Sequence, residues 1–160
     1  MTLIPIVIEK EKELTLERQL KDKVMDQLLE ANPFEVPESL VEEQTKTLAS
    51  DMKLRLAAQG VDLKNLGVTE EKLQGDYKAM AQKQVKTFLI LENIASQEGI
   101  AVTDEEADER LKEMAERMHQ TFDVVKRYYE KNGLLPEVKA GILRDKTLHF
   151  LLEKANVHTI

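Results

Sequence analysis

The sequence predicts an all-α fold of about six helices in an irregular arrangement, and three observations carry that prediction. Ala, Glu, Lys, Leu and Arg make up roughly half of the chain, the composition of long helices. Six Gly and four Pro in 160 residues, with 4% aromatic residues and no Trp, leave too little punctuation for a many-stranded sandwich or barrel. Apolar residues recur at three- and four-residue spacing along most of the chain. The length is enough for a hydrophobic core, and no linker long enough to separate two domains is visible.

Residues 1–8, Met-Thr-Leu-Ile-Pro-Ile-Val-Ile, are apolar and β-branched, unlike the rest of the chain. They lack the basic start and small-residue cleavage site of a signal peptide. Two readings fit: an added leader or remnant of a neighbouring domain, or a short strand or apolar arm that docks on a partner. A single helical domain is expected over 9–157.

The first helix is expected from Glu9 to Ala31, with Leu16, Leu20, Val24 and Leu28 spaced by four and Leu14, Met25 and Leu29 widening the stripe. Asn32-Pro33 stops it, because Pro lacks a donor and disfavours helix in the residue before it. Pro37 suits the first position of a second helix to Gln59, with Val41, Leu48, Met52 and Leu56 on one face and Leu40 and Leu54 on another. Gly60 is its natural stop, and 60–68 read as a loop.

Thr69 can cap a third helix, Glu70 to Glu98. Its second half, Phe88-Leu-Ile-Leu91 with Ile94, is apolar nearly all round, so Phe88, Leu91 and Ile94 are the expected centre of the core. Gly75, inside this helix, costs about 1 kcal/mol relative to Ala. Thr103-Asp-Glu-Glu106 has the pattern of a capping box and opens a fourth helix to His119. Thr121 can cap a short fifth helix that ends at Gly133, and Pro136 starts a sixth, to Ala155.

Several function classes drop out. No Cys means no disulfide, thiolate nucleophile, iron–sulfur cluster or Cys-based zinc site, and fits a reducing compartment. A net charge of −7 argues against a broad footprint for nucleic acid or an anionic membrane. No apolar stretch approaches the ~20 residues needed to span a bilayer. No Gly-rich phosphate loop occurs, and Ser39, Ser50 and Ser96 have no nucleophile context. His119, His149 and His158 are scattered; Glu116-x-x-His119 is half of a di-iron motif that needs a second pair and further carboxylates. The acidic run around Asp104, Glu105, Glu106, Asp108 and Glu109 suits a first helical turn and lacks the Gly and alternating ligands of a calcium loop. No catalytic residue, metal or cofactor is expected.

Beyond these exclusions there is an excess of apolar residues over what one stripe per helix requires, including Leu40, Leu54 and several residues between Met114 and Leu135. Either all pack inside an irregular bundle, or some form a patch or groove for apolar partners. The six Met favour adaptable packing. The expected partner-contacting residues are Met114, Met118, Phe122, Tyr128, Tyr129, Leu134 and Leu135, on short helices that are easier to leave partly exposed. Lys126, Arg127 and Lys131 read either as a solvated face or as a means of steering acidic segments.

Val24-Met-Asp-Gln-Leu-Leu-Glu-Ala-Asn32 together with Phe34-Glu-Val-Pro-Glu-Ser-Leu-Val41 resembles the C-terminal domain of bacterial trigger factor. Val85 to Ala95 resembles that family's apolar central helix, and Ile100 to Glu106 its next helix start. Tyr128-Tyr-Glu-Lys-Asn132 and Leu151 to Val157 fit its last helices. The resemblance runs from about Glu9 to Val157 and keeps the family's order. It implies arm-like helical projections around a cradle, and an ATP-independent chaperone for unfolded or nascent polypeptide chains, cytoplasmic, with self-association open. The fold is also similar to the helical core of a periplasmic porin chaperone. The Gly-Phe-Arg-x-Gly-Lys type motif of the family's ribosome-docking domain is missing from the sequence, and nothing in it resembles the prolyl-isomerase domain. Ribosome docking and isomerase activity are therefore not implied for these residues. The alternative function is a helical scaffold or oligomerisation domain with one defined protein partner.

Overall fold

The computed structural model describes the backbone from Leu3 to Ala155 and the side chains from Lys12 onward, apart from Leu63 and Lys64; Met1, Thr2 and 156–160, with His158, lie outside the described residues. These residues form α1 (Leu3–Ala31), α2 (Glu38–Ala58), α3 (Glu70–Gln97), α4 (Asp104–Arg117), α5 (Phe122–Lys131) and α6 (Leu135–Lys154), with a 3-10 turn at Leu63–Leu66. No strand occurs among them. The fold is all-α, and the expected helix ends lie within one or two residues of the observed ones, except at the start of α1.

Residues 3–8 are the first turns of α1, so the reading of this stretch as a short strand fails. Pro5 falls within the first turn, where an amide donor has no partner inside the helix to lose. Pro37 stands just before α2 rather than inside it, and its carbonyl accepts from the amides of Leu40 and Val41.

The chain packs as two compact units, Gln27–Ile90 and Met1–Asp26 with Leu91–Ile160. Both boundaries fall inside long helices, α1 and α3. A unit boundary inside a helix carries no Pro, Gly or polar run, which is why no linker is visible in the sequence.

In the first unit α2 and α3 run antiparallel. Lys53 meets Glu70 near the connecting loop, the Gln44 side-chain amide donates to Gln84 at 2.8 Å, and Lys86 lies 5.7 Å from the Phe34 ring centre. Val41, Thr45 and Ala49 are the buried residues of α2, and the Thr45 hydroxyl donates to the Val41 carbonyl at 2.7 Å. Leu73, Ala81 and Val85 are buried on α3.

In the second unit α4 packs against both α5 and α6. Leu111, Ala115 and Val125 form its buried cluster, with Met114, Phe122, Tyr129, Leu135 and Val138 packed around them. Of the expected core centre, Leu91 is 1% exposed, but Phe88 and Ile94 are only half-buried. Helix neighbours all round do not require equal burial; the smaller Ala95 and the preceding Ile90 are buried instead. The α1 stripe is likewise uneven: Met25 is buried, Leu20, Val24 and Leu28 are half-buried, and Leu14 and Leu16 are exposed.

The capping box at α4 is formed: the Glu106 amide donates to the Thr103 hydroxyl at 3.2 Å and the Thr103 amide to the Glu106 carboxylate at 2.8 Å. Thr121 stands before α5, but its hydroxyl makes no capping bond. The end of α4 carries a residue that its neighbours do not. Gly60, Gly99 and Gly133 close α2, α3 and α5 in the left-handed region; the equivalent residue after α4 is His119, at φ 53°. The bonding is that of a Schellman motif, with the Gln120 amide on the Ala115 carbonyl and the His119 amide on the Glu116 carbonyl.

Candidate functional site

The apolar segment from Met114 to Leu135 is the bend of the second unit: the end of α4, all of α5 and the start of α6. Amphipathic spacing in α5 puts Val125 and Tyr129 inward, four residues apart on one face, while Val124 and Tyr128 share the outer face. The seven expected contact residues therefore part into groups. Met114, Phe122, Tyr129 and Leu135 pack against the buried cluster. Leu134 is half-buried beside it. Met118 and Tyr128 are exposed, at 56% and 59%. Tyr128 meets the ring of Tyr129 edge-on, centres 5.8 Å apart, so its accessible ring is braced rather than loose.

Beside this bend lies an open groove of about 490 Å³. Met114 and Arg117 of α4, Tyr129 of α5, Leu134, and Val138 and Gly141 of α6 line it, along with Arg110, Glu137 and Arg144. Three of the expected residues, Met114, Tyr129 and Leu134, thus line one concavity. Sequence reasoning missed its other walls and also missed exposed Val124. The signals available were the i, i+4 pair Val124/Tyr128 and a glycine in the interior of α6.

Electrostatics fix the frame around the groove. On α4, Asp104 pairs with Lys139, Glu106 with Lys146 at 2.7 Å, and Arg110 with Asp145 at 2.8 Å, all across to α6. Asp108 pairs with Lys126 of α5 at 2.8 Å. Lys146 also donates to the Ala101 carbonyl at 2.6 Å. Asp104, Glu106 and Asp108 of the acidic run are thus engaged with lysines of the two helices packed on α4, while Glu109 pairs with Lys112 of its own helix. The hydrogen bond from Lys139 holds Asp104 below the usual carboxylate range. Lys146, with help from the Thr103 amide, does the same for Glu106. The hydrogen bond to Asp108 raises Lys126. Lys112 and Lys126 flank Phe122, 5.7 and 5.5 Å from its ring centre.

Among the described residues no three His, Asp, Glu or Cys gather as a metal site would need, and no helix is long and apolar enough to cross a membrane. Glu116 and His119 are both exposed, and His119 lies beyond the end of α4.

The sequence profile of the family described as bacterial trigger factor protein (TF) C-terminus matches residues 5–153. The chain belongs to that family. The match to the trigger factor C-terminus begins at residue 5, inside the apolar stretch that the sequence motifs alone left outside the resemblance. The trigger factor of Geobacter sulfurreducens is 34% identical over 148 residues, which is 92% of this chain and 34% of that protein. That of Geobacter metallireducens is 38% identical over 143 residues, 89% of this chain and 33% of that protein. The chain spans about a third of the length of these curated relatives. A solved trigger factor structure from Thermotoga maritima, from work on the structures of its domains and the interactions between them, superposes with a TM-score of 0.57 at 25% identity, covering 85% of this chain and 83% of that one.

Proposed function

We propose that the chain is a chaperone module that holds unfolded or nascent polypeptide segments on apolar helical surface, without ATP and without a catalytic step. The observation that carries this reading is the placement of large apolar side chains at the α4–α6 bend: Met118, Val124 and Tyr128 are exposed next to a groove lined by Met114, Tyr129 and Leu134. Gathered beside one groove, each exposed residue adds area that a client can remove from water. Membership of the trigger factor C-terminal family supports the same role, and with it a cytoplasmic setting. Contacts of this kind tolerate many client sequences, because apolar burial is non-directional and Met repacks against unlike shapes.

The test is suppression of aggregation for two unrelated, chemically unfolded proteins diluted into buffer. The parent chain should suppress both. Replacing Met118, Val124 and Tyr128 together by Ser should remove most of the effect while leaving the helical circular dichroism intact. A parent chain that protects neither client, and binds one folded protein instead, would establish the scaffold reading. Proline-limited refolding of a client should run at its uncatalysed rate in the presence of the chain.

A further inference from the structure

The asparagines of the chain are Asn32, Asn65, Asn93, Asn132 and Asn156, and of these Asn132 alone precedes a glycine. The pair closes α5, and each member has a local reason to stand there. Gly133 is at φ 66°, the left-handed conformation that ends the helix and that a residue with a Cβ adopts only under strain. Asn132 ties the last turn with its side-chain amide, which donates to the Tyr128 carbonyl at 2.7 Å. Gly60 and Gly99 close their helices after Gln59 and Glu98 instead.

We propose that Asn132 is a site of spontaneous covalent modification, deamidation through a cyclic imide, gated by opening of the last turn of α5. The Gly133 nitrogen loses its proton to water and attacks Cγ of Asn132. A bond forms between that nitrogen and Cγ, the bond from Cγ to Nδ2 breaks, and Nδ2 takes up a proton and leaves as ammonia. Water then opens the five-membered imide. Opening at Cγ leaves Asp with the ordinary main chain; opening at the main-chain carbonyl leaves an isoaspartyl link that runs through Cγ. The net change is water taken up and ammonia released. Asn is thermolabile in general, but the other positions suit this route less well. Asn32 precedes Pro33, whose nitrogen has no proton to lose. Asn65, Asn93 and Asn156 precede Leu66, Ile94 and Val157, whose side chains hinder approach of the nitrogen to Cγ.

The fold holds the reaction back. The Gly133 amide donates to the Glu130 carbonyl at 3.2 Å, so the nucleophile's proton is engaged, and the Asn132 side chain is held on Tyr128. Both residues are exposed at a helix end, where opening costs less than global unfolding. The products do not restore the turn. A carboxylate at 132 has no proton for the Tyr128 carbonyl and puts negative charge at a helix C-terminus, where the dipole opposes it. An isoaspartyl link adds a main-chain atom just before Leu134. On the chaperone reading the reaction ages the surface around Tyr128 and Leu134, but the chemistry does not depend on that role.

The test is peptide mass mapping of the full chain during incubation in mildly alkaline buffer, with and without urea. Asn132 should convert fastest of the asparagines in both, giving Asp and isoaspartyl products, and about tenfold more slowly in the folded chain than in urea. The folded rate should still exceed the urea rate multiplied by the unfolded fraction from a urea-unfolding curve. In urea, where the helix end no longer matters, Gly133→Ala should slow conversion several-fold. Asn132→Asp should lower the melting temperature by a few degrees. Faster conversion at Asn65 or Asn93, equal rates with and without urea, or an unchanged rate in unfolded Gly133→Ala overturns the proposal. A folded rate no greater than global unfolding supplies overturns the gating by α5.

Discussion

Each compact unit of the chain carries a groove with a helix-interior glycine in its wall, yet the two grooves are chemically different. The α2–α3 groove, about 340 Å³, is lined by Val41 and Thr45 with Glu42, Lys46, Glu71, Gln74 and Lys78 around Gly75. Its charges balance, its floor offers one aliphatic side chain, and the Gln44–Gln84 hydrogen bond ties the same pair of helices. The α4–α6 groove is lined by Met114, Tyr129, Leu134 and Val138 together with Arg110, Arg117, Glu137 and Arg144. A missing side chain on a helix wall thus opens space in both places, but the neighbouring residues decide whether water or an apolar segment fills it. The proposed function therefore assigns client contact to the α4–α6 side.

Substitutions in the two cores should separate the units most strongly. Leu111 is fully buried at the centre of the α4–α5–α6 cluster, so Leu111→Ala should cost about 2–5 kcal/mol in urea unfolding. Thr45 is buried in α2, but its hydroxyl bonds only to its own helix, so Thr45→Val should change stability by less than about 0.5 kcal/mol. Equal losses at the two sites would remove the distinction between an apolar and a polar unit.

Helix starts give a smaller effect in the same direction. α4 opens on a complete capping box and α2 on Pro37 without any side-chain cap. Thr103→Ala should cost about 1 kcal/mol by thermal or urea unfolding.

Glycine positions probe the two grooves directly. In helical backbone, a Cβ at Gly75 meets open space and one at Gly141 only an ordinary contact with the Arg144 guanidinium at 3.9 Å, so Gly75→Ala and Gly141→Ala should each stabilise by roughly 0.5–1 kcal/mol. Gly75→Ala should leave peptide binding unaltered. His119→Gly should stabilise by about 1 kcal/mol, since His119 holds a left-handed conformation that glycine adopts freely.

The smallest expected effect is on pH dependence, and it belongs to the α4–α6 unit. Asp104 and Glu106 are held below their ordinary values by Lys139 and Lys146, so their pairing adds stability that is present above about pH 4.5, the region of unfolded carboxylates. That contribution is lost as pH falls through the lowered folded values. Lys126 is raised, so its share is present at neutral pH and lost only as alkaline pH passes its raised value. The double variant Asp104→Asn, Glu106→Gln should flatten the acid limb of a urea-midpoint profile between about pH 7 and pH 3, and leave its alkaline limb in place.

The helices and their ends were legible in the sequence because they rest on local chemistry. Asn32-Pro33, Gly60, Gly99, Gly133 and the Thr103–Glu106 box act within a turn of where they stand. Which stripe is covered depends on partners far away in the chain. Leu14, Leu16 and Leu54 have helical spacing and are exposed, Leu54 by 67%, whereas Thr45 and Thr147 are polar by type and buried. Thr147 can be buried because its hydroxyl donates to the Leu143 carbonyl at 2.7 Å, a bond that hydropathy does not register. The α4–α5–α6 segment was legible as an apolar excess, but its inner and outer members separated only when Val125 and Tyr129 were seen against Leu111. The arginines that line the groove come from α4 and α6, so no local pattern announces them.

If clients are held at the α4–α6 bend, methionine methyl NMR will report it residue by residue. Met114 lines the groove and Met118 is exposed beside the bend, while Met52 and Met80 belong to the α2–α3 unit. Titration with an unfolded peptide rich in Phe and Leu should shift the methyl signals of Met114 and Met118 and leave those of Met52 and Met80 in place. Shifts confined to Met52 and Met80, with Met114 unmoved at saturation, would place client binding on α2–α3 and contradict the assignment to the bend.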